Sequence, residues 1–145
     1  MGPGSAGRGQ RTRRDGTVSG RLFLDSTFVI DHLRGDQIAV ARWRRVFDDG
    51  ETPFIGEVVV CEVRAGLLDA DEPKLRTFLE PIEFVQPGAE HALNAGRWRA
   101  EARARGWTLS LPDALVAACA DSLGAAVLTR NARDFALTPV RVETY

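Results

Sequence analysis

Four acidic residues of this chain stand at the borders or in the interior of apolar segments. Asp25 ends the apolar run RLFLD, Glu62 interrupts VVVCEV, Asp113 opens LPDALVAACA, and Asp134 follows AAVLT within TRNARDF. A carboxylate is costly to bury unless it is paired, hydrogen-bonded or bound to a cation. These four side chains are therefore the first candidates for a catalytic or metal-binding site.

Carboxylates brought close together favour one kind of chemistry. Two such charges about 4 Å apart repel by about 4 kcal/mol at an effective dielectric constant of 20, so a cluster needs protons or a cation. Oxygen ligands without cysteine or paired histidines select Mg²⁺ or Mn²⁺, and His32 and His91 are isolated in the sequence. An ion held in this way activates water and stabilises charge on a phosphate oxygen, which makes phosphodiester hydrolysis the natural reaction.

The elements that must position these carboxylates follow from the apolar patterns. Short apolar runs predict strands, and the segments between them, with apolar residues three and four positions apart, predict helices. The strand candidates are RLFL, the start of TPFIG, IEFV, AAVLT and VRVE. Because helices connect the strands, we expect an α/β fold with a mostly parallel central sheet flanked by helices on both faces. Its functional site would lie beyond the carboxyl ends of the strands, where the four acids fall.

Three of the acids also have a purely structural explanation. Asp25 is placed to support the start of the following helix, and Ser110 with Asp113 matches the S-x-x-D capping pattern. Glu62 would be explained by a salt bridge to Arg64 or to another arginine. Taken singly, each of these explanations is sufficient.

The fourth acid lies in the loop TRNARDF, where turn formation is the competing explanation. Asn131 and Asp134 are residue types whose side chains hydrogen-bond nearby backbone groups in turns. The structural explanations weaken when the four acids are considered together, because strand-end placement would bring several carboxylates to one edge of the sheet.

Composition limits the chain to one domain preceded by a tail. The 145 residues are 44% hydrophobic, enough for a single core. Residues 1–20 are rich in Gly, Ser and Arg and predict a disordered tail, so the domain would span 21–145. The tail has four arginines against one aspartate, a net charge of +3, which leaves −4 on the domain of a chain whose total is −1. The domain therefore lacks the overall basic charge typical of nucleic-acid binding, and such binding would need a local arginine patch.

Cysteine usage and hydropathy point to a cytoplasmic protein. Cys61 and Cys119 each lie in an apolar helical run, which predicts buried free thiols and no disulfide framework. No apolar run approaches the roughly 20 residues that cross a bilayer, and the first residues lack the apolar centre of a signal peptide. We expect a cytoplasmic protein without membrane contact.

Three segments, in this order and spacing, resemble the motifs of a known family. They are FLDSTFVIDHLRG, VVVCEVRAGL and LPDALVAACADSLGAAVLTRNARDF. The chain from about residue 22 to 145 resembles a PIN domain and, within that family, the VapC-type toxins of bacterial toxin–antitoxin pairs. The four acids fall on the family's acidic positions. The resemblance implies cleavage of RNA that depends on Mg²⁺ or Mn²⁺, dimerisation into a homodimer or a toxin–antitoxin hetero-oligomer, and neutralisation by a cognate VapB-type antitoxin.

Two further residues take supporting roles from the same resemblance. Ser26 matches the small hydroxyl residue common in the first motif of the family. Asn131 occupies a place that is acidic in some members, which favours one metal ion or a weakly held second one. An alternative for the whole chain is a catalytically weak or inactive PIN-fold module that binds RNA or protein.

Other families with an aspartate after the first strand fit less well. Haloacid dehalogenase phosphotransferases and response-regulator receivers need a lysine near the phosphoryl group, whereas the only lysine here is Lys74, in a polar acidic stretch. The dehalogenase pattern also requires an acid where Thr27 stands. These families resemble the chain only in outline.

Arginines and one apolar helix face complete the candidates for binding. Arg130, beside the loop of Asp134, and Arg64 are candidates for contacting RNA phosphates, although exposed helical arginines usually form only a solvated face. The helix of Trp43, Val46 and Phe47, with Arg42 and Arg45 beside this apolar stripe, is expected to help form the antitoxin-binding groove or to pack in the core or a dimer contact.

Overall fold

The computed structural model describes residues 20–145, so the predicted tail, residues 1–20, lies outside the described residues except for Gly20. Within that range the strands form one sheet. They are β1 (Arg21–Leu24), β2 (Thr52–Gly56), β3 (Glu83–Val85), β4 (Ala126–Leu128) and β5 (Val142–Glu143). These are the strands that the apolar runs predicted.

Helices occupy the segments between the strands. They are α1 (Ser26–Leu33), α2 (Gln37–Asp48), α3 (Glu57–Ala65), α4 (Glu72–Leu79), α5 (Ala89–Ala104) and α6 (Leu111–Leu123). Short 3₁₀ helices cover Asp69–Asp71 and Ala132–Phe135. Among residues 20–145, no helix is long and apolar enough to span a membrane.

The sheet has the strand order β3-β2-β1-β4-β5, and every pairing is parallel. The central strand β1 pairs on both sides, with Leu22 opposite Pro53 of β2 and opposite Ala126 of β4. Side chains of β1 that point in opposite directions, Leu22 and Phe23, are both at most 2% exposed, because helices cover both faces of the sheet. The predicted α/β fold is confirmed.

Helix α6 is placed so that its first turn reaches the carboxyl edge of the sheet. Ser110 caps its start, and Gly124 ends it with a φ of +62°, a conformation that glycine adopts without strain. Ala126, two residues later, begins β4. A helix that leads directly into a strand runs back across the sheet, so the N-terminus of α6 lies near the edge where the strands end.

Arg42 is buried, so for this residue the core alternative holds and the placement on a groove surface is wrong. It is 5% exposed, and its guanidinium binds both carboxylate oxygens of Glu51, at 2.7 and 3.1 Å, and Glu143 at 3.3 Å. Val46 of the apolar stripe is 0% exposed and also packs in the core. The face of α2 that carries both residues packs inward, and Arg42 joins α2 to the segment before β2 and to β5.

The two cysteines differ, so the prediction of two buried thiols holds for only one of them. Cys119 lies in the core, and its burial raises the thiol pKa to about 11, whereas Cys61 is exposed. Helix α3 buries the side of Val59 and Val63, which leaves Cys61 on the other side. The prediction failed for Cys61 because it rested on the apolar composition of the segment, whereas the helix packs against the core on one side only.

Candidate active site at the carboxyl edge of the sheet

Asp25 is fixed at the end of the central strand. Its backbone N–H donates to the carbonyl of Leu128 at 3.0 Å, which extends the pairing of β1 with β4 by one residue. Its carboxylate Oδ2 accepts hydrogen bonds from the hydroxyls of Thr129, at 2.7 Å, and Thr27, at 3.2 Å. Although Asp25 occupies the N-cap position of α1, its side chain makes no capping bond. The capping explanation is therefore wrong for this residue.

Burial governs the charge state of Asp25. The residue is 4% exposed, and desolvation raises the pKa of its carboxyl group above the ordinary value. Hydrogen bonds from Thr129, the Ser26 backbone and Thr27 act in the opposite direction, and the charge of Asp134 adds to the increase. A buried carboxylate with hydrogen bonds but no described cationic neighbour favours either a proton or an external cation.

The turn after β4 is tied to Asp25 through two threonines that the sequence reasoning did not assign to the site. Thr129 is 0% exposed, and its hydroxyl oxygen also accepts from the backbone N–H of Asn131 at 2.9 Å. Thr27 accepts from the backbone N–H of Arg130 at 3.1 Å. The two hydroxyls are 3.2 Å apart. In the sequence, the sign of this role was that Thr129 directly follows the apolar run of β4.

Glu62 lies on the exposed side of α3 and faces the same carboxylates. Burial raises the pKa of its carboxyl group, the charges of Asp25 and Asp113 raise it further, and a hydrogen bond with Ser26 lowers it. The structural explanation by a salt bridge does not hold, because no ion pair of Glu62 with Arg64 or another arginine occurs among residues 20–145. The Arg64 guanidinium instead binds Glu72 at 2.6 Å and Asp69 at 2.5 Å.

Asp113 combines a capping context with a place in the acidic group. The Ser110 hydroxyl accepts from the backbone N–H of Asp113 at 3.2 Å, which confirms Ser110 as the cap of α6. Burial raises the pKa of the Asp113 carboxyl group, a hydrogen bond with Ser110 lowers it, and the charges of Asp134 and Asp25 raise it. The cap fixes the first turn of α6, and the carboxylate remains within the influence of the other acids.

Asp134 reaches the group from the 3₁₀ helix after β4. The backbone N–H of Asp134 donates to the carbonyl of Asn131 at 3.0 Å, while the Asn131 side chain makes no capping bond. Phe135, 1% exposed, anchors this short helix in the core. Main-chain bonds therefore form the turn, and the Asp134 carboxylate is exposed, with its charge acting on both Asp25 and Asp113.

The four acids form one electrostatically coupled group. The charges of Asp25, Asp113 and Asp134 each raise the pKa of at least one other member, and the pKa of Glu62 is raised by two of them. Within residues 20–145, however, no three His, Cys, Asp or Glu side chains converge tightly enough to enclose an ion as they stand. Their chemistry nevertheless fits a hard divalent cation, because all are oxygen donors and like charges repel until a cation or protons neutralise them. Asp25 is the fixed member, whereas Glu62 and Asp134 are exposed and have side-chain freedom to approach an ion.

The two histidines have structural surroundings. The ring of His32 packs among Phe28, Trp43 and Phe78, and burial lowers its pKa. The Nδ1 atom of His91 accepts from the backbone N–H of Gly88 at 3.0 Å, at the start of α5.

A groove lies on the surface formed by α1, α2 and α4. It has a volume of about 560 Å³ and includes His32, Leu33, Trp43, Lys74 and Phe78 in its lining. A second cavity of about 210 Å³, between α1 and α3, shares Leu33 and Lys74 with it. Of the predicted stripe on α2, Trp43 lines the groove.

The comparisons of this chain with known proteins by sequence and by structure agree with each other. Residues 22–140 match the family model of the PIN domain. Ribonuclease VapC19 of Mycobacterium tuberculosis is 28% identical over 117 residues, which are 81% of this chain and 94% of that protein. VapBC2 from Rickettsia felis, solved with a DNA fragment from the promoter, superposes with a TM-score of 0.76 at 19% identity, covering 86% of this chain and 98% of that chain. DNA-bound VapBC from Salmonella typhimurium gives a TM-score of 0.73 at 24% identity, covering 86% and 97%. At these identities the solved structures show the fold.

Proposed function

This chain belongs to the PIN domain family, and on that basis we propose that it is a metal-dependent endoribonuclease toxin that a VapB-type antitoxin neutralises. The name of its relative from Mycobacterium tuberculosis, Ribonuclease VapC19, supports cleavage of RNA as the reaction. The similar solved structures are VapBC proteins, which supports an antitoxin as the partner. We place its action in the cytoplasm, where RNA substrates and a co-encoded antitoxin are made.

The observation that carries the proposal is the uncompensated charge of the acidic group. Asp25 is 4% exposed, the charge of Asp134 acts on it, and its own charge acts on Glu62 and Asp113. A structural ion pair would bring a cation to such a carboxylate. Here the hydroxyls of Thr27 and Thr129 hold Asp25 in place, and both are neutral donors.

The four carboxylates are the proposed ligands of Mg²⁺ or Mn²⁺. A bound divalent cation supplies an activated water and stabilises negative charge on the phosphate oxygen. Asp25 provides a ligand whose position is set before binding, because a buried strand end and two hydrogen bonds restrict it. Asp113 is the second contributor, and the Ser110 cap fixes the first turn of the helix that carries it. Ser26, next to Asp25, is proposed as a supporting residue because its side chain lowers the pKa of the Glu62 carboxyl group.

The groove is the proposed docking place for the antitoxin. Its lining combines aromatic rings, Trp43 and Phe78, with the charged end of Lys74, which suits an apolar segment that carries an acidic residue. Trp43 is positioned by contacts with the rings of Phe47 and Phe78, at 5.0 and 4.7 Å between centroids. Assembly into a homodimer or a toxin–antitoxin hetero-oligomer is part of the same proposal.

Cleavage of RNA with and without metal ions tests the proposal. Purified protein is expected to cut single-stranded RNA with Mg²⁺ or Mn²⁺ and to lose this activity in excess EDTA. Asp25→Asn is expected to reduce kcat by more than about 100-fold, because the substitution removes the fixed charged ligand. Asp121→Asn is the matched control, since Asp121 is an exposed residue near the other end of α6.

Two results would contradict the proposal. Full activity in EDTA would exclude the metal-dependent reaction, and wild-type turnover in Asp25→Asn would remove that residue from the ligand set. Binding of RNA without any cleavage in Mg²⁺ and Mn²⁺ would instead support the inactive RNA-binding module.

A further inference from the structure

Arg130 is held against α1 at two points one helical turn apart. Its backbone N–H donates to the hydroxyl of Thr27, and its Nη1 donates to both carboxylate oxygens of Asp31, at 2.7 and 2.8 Å. Residues four positions apart lie on the same face of a helix. The residue after Thr129 is therefore fixed through both its main chain and its side chain.

Tyr145 also contacts Asp31, the partner of Arg130. Its hydroxyl donates to Oδ2 of Asp31 at 2.6 Å, and its ring packs edge-on against Phe28, with centroids 5.1 Å apart. Burial raises the pKa of the Tyr145 hydroxyl, which keeps it protonated and able to donate. Asp31 thus receives hydrogen bonds from two side chains that come from distant parts of the sequence.

The ion pair of Arg130 and Asp31 presents its positive half to solvent. The Asp31 side chain is 10% exposed, whereas that of Arg130 is 56% exposed. A guanidinium has five N–H donors, and the bonds to Asp31 use only Nη1. An anion that approaches this surface meets the remaining donors of the guanidinium, while the carboxylate that holds it is covered by protein.

We propose that Arg130 binds an RNA phosphate that flanks the scissile one, and that Asp31 and Tyr145 are positioning residues that hold its guanidinium for this contact. The inference rests on the proposed ribonuclease function and adds the residues that hold the substrate strand.

The position along α1 explains why the contact is to a flanking phosphate. Thr27 bonds to the Asp25 carboxylate, and Asp31 lies four residues further, which is about 6 Å along a helix axis. The Arg130 side chain follows Asp31 and is thereby directed away from the acidic group. Arg64, the other candidate for contacting phosphate, is held by Glu72 and Asp69 on α4 and the segment before it, so the proposal does not include it.

The salt dependence of RNA affinity tests the contact directly. The dissociation constant of a labelled single-stranded RNA decamer is measured in EDTA, so that the probe stays intact, over a range of salt concentrations. Each phosphate contact to a single strand contributes about 0.7 to the slope of log affinity against log salt. Arg130→Gln is expected to reduce the slope by about 0.7 and to weaken binding about fivefold to tenfold at low salt.

Arg76→Gln is the matched control for this measurement. Arg76 is also a well-exposed arginine in an ion pair, with a side chain 76% exposed beside Glu72 on α4. It is expected to keep the wild-type slope and affinity. An Arg130→Gln variant that matches the wild type in both quantities would overturn the phosphate contact.

The positioning role is tested by combining substitutions. Asp31→Asn keeps the charge of Arg130 but loosens it, so affinity is expected to fall about threefold with a wild-type salt slope and to fall no further in the Arg130→Gln background. If Asp31→Asn strengthens binding, as simple removal of a negative charge predicts, Asp31 does not act through Arg130. The same conclusion follows if the affinity losses of Asp31→Asn and Arg130→Gln multiply in the double variant. Tyr145→Phe, expected to weaken binding about twofold with the same dependence on Arg130, provides the test if Asp31→Asn fails to fold.

The outcome separates this inference from the proposed function. A wild-type protein that neither binds the decamer nor cleaves RNA with Mg²⁺ would overturn both. If the wild type cleaves RNA while Arg130→Gln retains its dissociation constant, salt slope and KM, only the inference is overturned.

Discussion

Asp25 and Arg42 are two buried charges of similar exposure, 4% and 5%, in different surroundings. Arg42 is enclosed by the carboxylates of Glu51 and Glu143, which neutralise it within the protein. Asp25 receives neutral hydroxyl donors, and the nearby charges that act on it carry its own sign.

The two charges differ in what neutralises them. A buried ion pair whose partners are supplied by the chain is complete when the chain folds, and it contributes to holding α2 and β5 together. A buried carboxylate surrounded by other acids is complete only when something from solution neutralises it. Burial alone therefore does not mark a functional residue, whereas burial without compensation does.

The largest effect on stability is expected at the compensated charge. Arg42→Gln leaves the carboxylates of Glu51 and Glu143 without their cation, and we expect a loss of about 2–4 kcal/mol in the free energy of unfolding, because both partners are only partly buried. Urea denaturation measures it, with Arg44→Gln on the same helix as an exposed control. A loss below about 0.5 kcal/mol in the free energy of unfolding would show that the ion pairs of Arg42 do not stabilise the fold.

Removal of a neutral donor from the uncompensated charge is expected to have the next largest effect. Thr129→Val keeps the shape of a side chain that is 0% exposed but removes its bonds to Asp25 and to the Asn131 backbone. We expect a loss of about 1–3 kcal/mol and a further increase in the pKa of the Asp25 carboxyl group. Urea denaturation and NMR titration measure the two quantities, and an unchanged pKa would contradict the role of Thr129 in holding the charged form.

Neutralisation of Asp25 itself is expected to act in the opposite direction. In EDTA, Asp25→Asn should raise the free energy of unfolding by about 1 kcal/mol, because it removes a desolvated charge that other acids repel. Mg²⁺ should stabilise the wild type and not the variant, since ligands stabilise only the folded state that binds them. Thermal unfolding with and without Mg²⁺ measures both effects. An Asp25→Asn variant that is less stable than the wild type in EDTA would show that the charge of Asp25, like that of Arg42, is compensated within the protein.

The smallest effect is the pH dependence of that difference. The folded state raises the pKa of Asp25 above its ordinary value of 3.8, so the charge destabilises the fold most at neutral pH. As the pH falls through the raised pKa towards 3.8, the folded protein takes up a proton before the unfolded chain does, and the stability advantage of Asp25→Asn should shrink towards zero. Unfolding of both proteins in EDTA between pH 7 and pH 4 measures this, and a constant difference would contradict it.

The fold was predictable because its strands are buried on both faces. Such strands appear in the sequence as continuous apolar runs, for example RLFL in β1 and AVL in β4, and the helices between them show their own spacing. The capping pattern of Ser110 was equally local and correct. Local patterns thus accounted for the order of the elements and for the strand-end positions of Asp25 and Asp134.

What the sequence did not predict depends on contacts between distant residues. Arg42 meets Glu143, 101 positions away, and Tyr145 meets Asp31, 114 positions away. The helical pattern of α2 shows which residues share a face, but not whether a long arginine side chain turns inward to a partner. The same limitation applies to Thr129, whose role follows from the pairing of β1 with β4.

The hydrogen bond from the backbone N–H of Asp25 to Leu128 also determines which part of the site resists local opening. This amide belongs to the central pair of strands, so its exchange with solvent deuterium requires opening of the sheet core and should rank among the slowest in the chain. The amides of the 3₁₀ helix that carries Asp134 lie in a short surface element and should exchange much sooner. Deuterium labelling would then show one proposed ligand, Asp25, held on the timescale of global unfolding, and another, Asp134, in a segment that opens many times before the protein unfolds once.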